Sequence, residues 1–297
     1  MNDLPHIIEH ISCVPARLDL DRTLSSGQVF RWIRDDAGIW SACLEPGGIV
    51  VHLRQTQTSI DVDSKSTGVA ALLERYFRLD EPLDDWLGEW QRSGGPEICA
   101  AIAAYPGLRV VRQDPWECLI SFLASPAAPI YRIRRSMLRL AARIGEPCAS
   151  EHGQLFCRFP APEALAATQR VVCDECGLGF RGPNLIAAAS MVLDRGGRGW
   201  LEDLRTADYA DAKRELVRLP GVGDKIADCV CLFSLDKDEA VPIDVHIARV
   251  ARTLFEGLPA SVTPKTYIPI ADRFRERFGS KAGWAQQYLF FSQIDTS

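Results

Sequence analysis

Short apolar runs separated by turn residues characterise the first part of the chain. Residues 17–56 read RLDLDRTLSSGQVFRWIRDDAGIWSACLEPGGIVVHLRQT, and their apolar runs lie at Phe30–Trp32, Ile39–Cys43 and Ile49–Leu53. The turns between these runs contain Asp-Ala-Gly and Pro-Gly-Gly, residues that favour tight reversals of the chain. This pattern predicts a β-meander of consecutive antiparallel strands.

The pattern changes to helical periodicity after about Ser66. Apolar residues recur at helical intervals in VAALLERYF, DDWLGEWQRSG and PWECLISFLAS, and one extended interruption follows near QLFCRFP. The sequence therefore predicts an α+β fold with an N-terminal antiparallel β-sheet domain over residues 1–108 and an all-α domain over residues 109–297. Because no repeat or low-complexity linker separates them, we expect an intimate interface near residue 108 rather than a hinge.

Composition narrows the class of protein. The 297 residues are 47% hydrophobic and 25% charged, with a net charge of -5, which is an ordinary balance for a globular protein. The N-terminal residues MNDLPHIIEHISCV do not resemble a secretory leader, and no run is long enough to span a membrane. We therefore expect a cytoplasmic protein, or a nuclear one in a eukaryote, whose ten irregularly spaced cysteines are reduced thiols packed as small hydrophobic side chains.

One segment is strongly basic although the whole chain is acidic. YRIRRSMLRLAARIG carries five arginines and no acidic residue, at spacings that leave one apolar helix face. Such a helix either presents a solvated basic face or binds phosphate groups of a nucleic acid.

The stretch LPGVGDKIADCVC, residues 219–231, joins two helical patterns. The first helical pattern is DYADAKRELVRL and the second is KIADCVCLFSL. A helix-hairpin-helix is therefore predicted over about residues 207–235. Gly221 and Gly223 allow bare backbone N–H groups to reach the surface at the start of the second helix. That arrangement suits one DNA phosphate without reading the base sequence, although a simple corner between two helices would look similar.

Lys225 is unusual because it lies in the first turn of the second helix. The helix dipole and the apolar neighbours Ile226 and Val230 both favour a neutral amine over a charged one. A neutral amine could attack the C1′ atom of a sugar, expel the base and leave a Schiff base. Alternatively, Lys225 contacts the phosphate as a point charge.

A carboxylate follows that lysine by 19 residues. Asp244 comes just before a helical run in AVPIDVHIARVARTLF, where it is a natural N-cap. A capping carboxylate is held ionised at a fixed place, so that it could also stabilise an oxocarbenium-like sugar and help to deprotonate the lysine. His246, two residues later, could contact phosphate.

Taken together, several motifs resemble the 8-oxoguanine DNA glycosylase/AP lyase family of the helix-hairpin-helix DNA glycosylase superfamily. They occur in the family's order from about Ala16 to Phe291, which is nearly the whole chain. The motifs are SSGQVFRW, LLERYFRLD, RVVRQDPWECLISF, CGLGFR, LPGVGDKIADCVCLFSLDKDEAVPIDVH and GWAQQYLFF. The resemblance implies that the helical domain is of the helix-hairpin-helix glycosylase type.

The resemblance implies a bifunctional enzyme of base excision repair, which flips 8-oxoguanine out of duplex DNA, excises it through a lysine Schiff base and cleaves the strand by β-elimination. Lys225 would be the nucleophile and Asp244 the essential carboxylate. The carbonyl of Gly27 would accept the N7–H that 8-oxoguanine has and guanine lacks. The other base-pocket residues would be Cys229, Phe233, Pro242, Gln286 and Phe290, of which Phe290 stacks on the base and Gln286 reads its Watson–Crick edge. Independently, Lys225 and Cys229 share one helix face at i, i+4 spacing.

Flipping the base requires that the vacated space be filled. The resemblance assigns this task to Phe180 as a wedge, with Arg181 and Arg132 around the opposite cytosine, although Phe180 could instead be an ordinary core aromatic. Further DNA contacts are assigned to Gly221, Gly223 and His246.

The sequence departs from the family in one place. Where the family commonly has asparagines, this chain reads SPAAP, with Pro126, Ala127, Ala128 and Pro129. Alanine cannot make the hydrogen bonds of an asparagine, so that weaker discrimination for cytosine opposite the lesion is predicted.

No cofactor is expected. No cysteine follows Cys231, which excludes the iron-sulfur cluster of related glycosylases, and a zinc site on Cys173 and Cys176 with Cys148 and Cys157 is disfavoured because only one tight cysteine pair exists. The resemblance allows a monovalent cation on the carbonyls of Val217, Leu219 and Val222, with no metal required for the reaction.

The expected partner is double-stranded DNA containing 8-oxoguanine, bound by a monomer without membrane association. Two other functions remain open. A non-catalytic helix-hairpin-helix DNA-binding protein would need neither Lys225 nor Asp244. A monofunctional glycosylase for another damaged base would lack the lysine.

Overall fold

A computed structural model describes residues 5–151, 153–259 and 261–294. The N-terminal part forms one five-stranded antiparallel sheet. Its strands are β1 (Ile7–Ser12), β2 (Ile33–Arg34), β3 (Trp40–Leu44), β4 (Ile49–Gln55) and β5 (Ser59–Ser64), and they lie side by side in the order β1-β5-β4-β3-β2. The predicted meander is thus present in β3 and β4, where Trp40 is paired with Leu53.

The prediction of a strand at Phe30–Trp32 was wrong. The strand begins only at Ile33, which is paired with Ser41. The preceding apolar side chains are buried for another reason, since Phe30 packs into the core of the helices and Trp32 packs into the core beneath the sheet. Strands β1 and β5 were not predicted.

Helices make up most of the remaining chain. In the first half they are α1 (Leu20–Ser25), α2 (Val69–Tyr76), α3 (Leu83–Ser93), α4 (Pro96–Ala104), α5 (Pro115–Leu123) and α6 (Ile130–Ile144). A two-stranded hairpin, β6 (Pro147–Glu151) and β7 (Gln154–Cys157), forms the predicted extended interruption.

The helices of the second half follow this hairpin. They are α7 (Pro162–Ala166), α8 (Arg170–Glu175), α9 (Gly182–Asp194), α10 (Arg198–Thr206), α11 (Tyr209–Leu216), α12 (Asp224–Ser234), α13 (Val245–Leu254), α14 (Pro264–Phe278) and α15 (Ala282–Ile294). Short 3₁₀ turns lie at Gly179–Arg181 and Gly279–Lys281. The predicted α+β class, with an N-terminal antiparallel sheet followed by helices, is confirmed.

Hydrophobic side chains form two cores. The sheet covers one, which extends from Ile11 to Leu79 and includes Val111. The other core is formed by the helices. Apart from Phe30, its residues come from Leu83 onward, so that α3 and α4 pack with the later helices. Most hydrophobic side chains before about residue 80 thus belong to the first core, and most of those after it belong to the second. The domain boundary at residue 108 stays a prediction.

Buried polar groups join the two cores. The guanidinium of Arg31 donates to both carboxylate oxygens of Glu117 on α5, at 2.8 and 2.6 Å, and to the carbonyls of Cys43 and Cys157. Arg78, at the end of the sheet core, forms an ion pair of 2.7 Å with Asp238. Because each arginine is buried and paired, separating the two parts would expose uncompensated charges.

All ten cysteines are free, and eight are buried. Within the described ranges, no helix is both long enough and apolar enough to cross a membrane.

Candidate active site and DNA-binding surface

The helix-hairpin-helix comprises α11, a turn over residues 217–223 and α12, within the predicted limits of 207–235. Gly221 has a φ of +80°, and a Cβ atom built on it would lie 2.6 Å from the Asn184 amide nitrogen. Glycine is therefore required here both by backbone conformation and by the close approach of α9.

The two helices of the hairpin are joined by a buried carboxylate. Asp228 on α12 receives hydrogen bonds from the hydroxyls of Tyr209 and Tyr267, both at 2.7 Å, and forms an ion pair of 3.0 Å with Lys213 on α11. Burial nevertheless raises the pKa of Asp228, with Lys213 opposing that effect. These contacts fix the angle at which α12 presents its first turn. Sequence reasoning did not single out Asp228, because an acidic residue on a helix usually faces solvent.

One small pocket lies beside the first turns of α12. All eight residues predicted as catalytic or base-binding line it, together with two that sequence reasoning did not single out. The lining residues are Gly27, Phe122, Lys225, Cys229, Phe233, Pro242, Asp244, Gln286, Gln287 and Phe290. Positions as far apart as Gly27 and Phe290 thus meet at one point of the fold.

The amine of Lys225 faces apolar surroundings in this pocket. Its Nζ atom lies 5.1 Å from the centre of the Phe122 ring, which stacks on Phe233 at a centroid distance of 5.5 Å. Burial raises the pKa of Cys229, one helical turn further on, to about 11, and the adjacent Lys225 opposes that rise. Cys229 is therefore a neutral thiol at physiological pH.

Asp244 is the N-cap of α13. Its Oδ1 atom accepts hydrogen bonds from the backbone N–H groups of His246 and Ile247, each at 2.9 Å. Two backbone amides at a helix N-terminus fix the position of this carboxylate. The described residues thus place a fixed negative charge in the same pocket as the lysine.

Two of the polar atoms that are buried here without a hydrogen-bond partner among the described residues belong to Gln286 and His246. They are Oε1 of Gln286 and Nδ1 of His246, whose ring meets the Phe290 ring edge to face at 6.2 Å. The neighbouring Gln287 is satisfied, since its amide donates to the Ser26 carbonyl at 3.1 Å. The unpaired oxygen of Gln286 can therefore accept a hydrogen bond from a ligand in the pocket.

Gly27 lies where α1 meets α15. It has a φ of +77°, and a Cβ atom there would lie 2.9 Å from Cδ1 of Ile130 and 3.6 Å from the Phe290 ring. The buried amide of Gln287 fixes the preceding carbonyl, that of Ser26. The turn is thereby held against α15, which carries Gln286.

The pocket, of about 30 Å³, opens into a groove of about 1000 Å³. Five residues line both the pocket and the groove, namely Gly27, Phe122, Lys225, Asp244 and Phe290. Gly223 and His246, two predicted DNA contacts, also line the groove, as does the turn over residues 126–129.

The other predicted DNA contacts lie on an exposed surface. Phe180 is 67% exposed in a 3₁₀ turn, so that it is not a core aromatic. Arg132 is exposed at the start of α6. Burial lowers the pKa of Arg181, and the nearby positive charge of Arg132 lowers it further. The central guanidinium carbon of Arg181 lies 5.5 Å from the centre of the Phe180 ring, so that an aromatic ring and a cation are adjacent on this surface.

Arg181 is already bound to backbone carbonyls. Its guanidinium donates to Ala124 at 2.8 Å, Leu178 at 2.9 Å and Gly177 at 3.0 Å, and more distantly to Pro126. The side chain predicted to contact the opposite base thus also holds the 126–129 turn in place. That second role could not be read from the sequence, because it depends on long-range contacts.

In the parts of the chain that the structure describes, no group of three or more His, Cys, Asp or Glu side chains is placed to hold a metal ion. Cys173 and Cys176 are buried in the helical core, whereas Cys148 and Cys157 lie on the β6–β7 hairpin. The four cysteines of the disfavoured zinc site are therefore not brought together. The Leu219 carbonyl accepts the Val222 N–H at 3.1 Å, and cation binding at the turn stays a prediction.

Comparisons with known proteins identify the family of this chain. The family model for the N-terminal domain of 8-oxoguanine DNA glycosylase matches residues 10–119. The N-glycosylase/DNA lyase OGG1 of Arabidopsis thaliana is 32% identical, with 93% of this chain and 78% of that protein covered. The N-glycosylase/DNA lyase of Saccharomyces cerevisiae is 31% identical, with coverages of 94% and 84%.

A solved structure is similar over its whole length. The Clostridium acetobutylicum 8-oxoguanine glycosylase/lyase, in complex with double-stranded DNA containing cytosine opposite 8-oxoguanine, superimposes with a TM-score of 0.85 at 25% identity, covering 98% of both chains. Because two curated relatives exceed 30% identity over more than two thirds of their own length, this chain belongs to the 8-oxoguanine DNA glycosylase family.

Proposed function

We propose that this protein is a bifunctional DNA glycosylase/AP lyase that removes 8-oxoguanine from duplex DNA. The observation that carries the proposal is the meeting of Lys225 and Asp244 with an unpaired glutamine oxygen and three aromatic rings in one pocket beside a helix-hairpin-helix. Membership of a family whose curated relatives are named N-glycosylase/DNA lyase supports both halves of the activity.

Base recognition uses the walls of the pocket. The flipped base stacks on Phe290, and Oε1 of Gln286 accepts a hydrogen bond from its Watson–Crick edge. The Gly27 carbonyl accepts the N7–H of 8-oxoguanine. Guanine has no proton at N7 and would leave that acceptor facing a lone pair, so that it is rejected.

Base excision begins at C1′. The amine of Lys225 forms a bond to C1′ while the C1′–N9 bond breaks, and the electron pair of the C1′–N9 bond leaves with the base. Asp244 stabilises the positive charge that develops on the sugar and takes up an amine proton. The sugar ring then opens: the C1′–O4′ bond breaks, O4′ receives the proton held by Asp244, and a protonated Schiff base remains.

Strand cleavage follows from the same intermediate. The iminium group acidifies C2′, which loses a proton, and the 3′ phosphate leaves with the electrons of its C–O bond. Water then hydrolyses the imine and releases Lys225. The reaction needs no redox step, and we propose that it needs no cofactor and proceeds on a protein monomer.

The contacts to the DNA would be divided between two surfaces. The turn around Gly221 and Gly223 binds one phosphate of the lesion strand, with His246 nearby. Phe180 fills the space left by the flipped base, and Arg132 and Arg181 face the opposite strand.

Reduction with borohydride during turnover tests this proposal. An 8-oxoguanine duplex should yield a covalent protein–DNA adduct, and the undamaged duplex should yield none. Lys225→Gln should lose the adduct and strand cleavage while still binding the lesion duplex. Base release without any adduct would instead indicate a monofunctional glycosylase, and binding with neither product would indicate a non-catalytic DNA-binding protein.

A further inference from the structure

We propose that Arg134 binds a phosphate of the DNA backbone beside the pocket that takes the flipped base. This inference rests on the proposed function for the identity of its ligand. It assigns a role to a residue of the basic helix α6 that neither the sequence motifs nor the pocket residues include.

Arg134 is a half-buried cation without a counterion. Its Nε atom is fully buried and has no hydrogen-bond partner, and no carboxylate within the described ranges forms an ion pair with its guanidinium. The buried arginines Arg31 and Arg78 differ, since each pairs with a carboxylate at less than 3 Å. Arg109, also buried, donates to several backbone carbonyls.

Burial without a partner has an energetic consequence. Burial lowers the pKa of Arg134, with no opposing negative charge, although an arginine stays protonated at physiological pH. A partly desolvated charge that lacks compensation is destabilising, and an anion that supplies hydrogen-bond acceptors relieves the cost. In the free protein, the guanidinium of Arg134 thus lacks an anion that would compensate its charge.

The location of Arg134 identifies the class of anion. The side chain lines the same groove as Lys225, Asp244 and His246. If the groove takes the lesion strand, its backbone supplies phosphates at short intervals along this wall. The planar guanidinium can bind two phosphate oxygens at once, which an ammonium group cannot.

An aromatic ring supports the guanidinium from behind. Its central carbon lies 5.9 Å from the centre of the Trp40 ring on β3, and the Trp40 indole N–H donates to Asp21 at 2.7 Å. Because the sheet fixes this ring, the arginine is oriented before DNA arrives, which lowers the entropy lost on binding.

Salt-dependent binding of an uncleavable duplex tests the proposal. The probe carries a tetrahydrofuran abasic analogue opposite cytosine. Arg134→Met, which retains an apolar stem against Trp40, should weaken binding by about tenfold. It should also reduce the slope of log K against log salt by about one. Arg134→Lys should restore the slope but only part of the affinity.

Arg135→Met is the matched control. Arg135 lies on the same helix and carries the same charge, but it is exposed and does not line the groove. Its loss should change affinity and slope less than the loss of Arg134. Equal effects of the two methionine variants would overturn the proposal, since they would reflect net charge alone.

A second measurement remains informative if Arg134→Met folds poorly. Single methylphosphonates, which are uncharged, are placed in turn at the phosphates flanking the abasic analogue. One of them should weaken wild-type binding and have a clearly smaller effect on the uncharged variant Arg134→Gln; the absence of such coupling at every position would overturn the proposal. Failure of borohydride trapping would count against the enzymatic function but leave these binding results valid.

Discussion

The carboxylate of Asp244 accepts a hydrogen bond of 2.9 Å from the backbone N–H of Ile247. The same side chain lines the pocket of Lys225, so that capping and chemistry can be separated by substitution. Asp244→Asn should keep the cap and change the free energy of unfolding by less than about 0.5 kcal/mol, because asparagine caps helices as well as aspartate does. Removal of the charge should slow base excision by about 10² to 10³ in single-turnover assays.

Asp244→Ala provides the control for the structural role. It should lose the cap as well as the charge and lower the free energy of unfolding by about 1 kcal/mol, measured by chemical denaturation. Near-normal turnover of Asp244→Asn would disprove the role assigned to the charge.

The position of Gly27 is expected to govern recognition of the base more than strand cleavage. In Gly27→Ala the new Cβ would lie 2.9 Å from the end of the Ile130 side chain, and a φ of +77° is strained for alanine, so that we expect the backbone and its carbonyl to shift. We expect at least about tenfold slower release of 8-oxoguanine, whereas cleavage at a preformed abasic site, which needs no base contact, should change little.

Gly68→Ala is a matched control for backbone strain. Gly68 has a φ of +75°, and nothing lies within 4 Å of a Cβ built there. Both glycine substitutions should therefore lower stability, but only the one at Gly27 should affect base release. Wild-type base release by Gly27→Ala would contradict the role of its carbonyl.

The turn over residues 126–129 should make this enzyme tolerant of the base opposite the lesion. Ala127 has a φ of +55°, a conformation that asparagine adopts more readily than alanine. Ala127→Asn should therefore fold at least as stably as the wild type and raise the preference for cytosine by about fivefold, the value of one hydrogen bond. The measurement compares excision from duplexes with each of the four opposite bases. A strong cytosine preference in the wild type would refute the predicted tolerance.

The thiol of Cys229 should resist alkylation at pH 8. Burial raises its pKa to about 11, so that only about one molecule in a thousand carries the thiolate at that pH. The exposed Cys148 should react with iodoacetamide much faster, and labelling of Cys229 should rise as the pH approaches 11. Peptide mass spectrometry after timed reaction at several pH values measures both sites. Equal rates at pH 8 would show that Cys229 is an activated thiolate instead.

Local patterns in the sequence predicted the parts of the fold that are stabilised by near neighbours. Strands β3 and β4 are joined by a tight turn, and their apolar runs were recognised. Strand β1 pairs with β5, as between His10 and Asp61, and this pairing leaves no local signal that links the two segments. Phe30 misled the prediction because a buried side chain in an irregular segment looks like one in a strand.

Local patterns in the sequence likewise predicted only some residues of the candidate site. The spacing of Lys225 and Cys229 on one helix, and the capping position of Asp244, follow from the sequence alone. Gly27 and Gln286 were assigned only through family resemblance, since nothing local relates them to α12. Phe122 and Gln287 were not singled out because their motifs contain several similar side chains, and only the fold shows which of them face the pocket.

The attachment site of the trapped DNA tests the central claim most directly. After reaction of the wild type with an 8-oxoguanine duplex and borohydride, the adduct is digested with protease and nuclease, and the modified peptide is sequenced by mass spectrometry. We predict a single modified residue, Lys225, with the sugar remnant linked through a secondary amine. Attachment to any other amine, with Lys225 unmodified, would contradict the account.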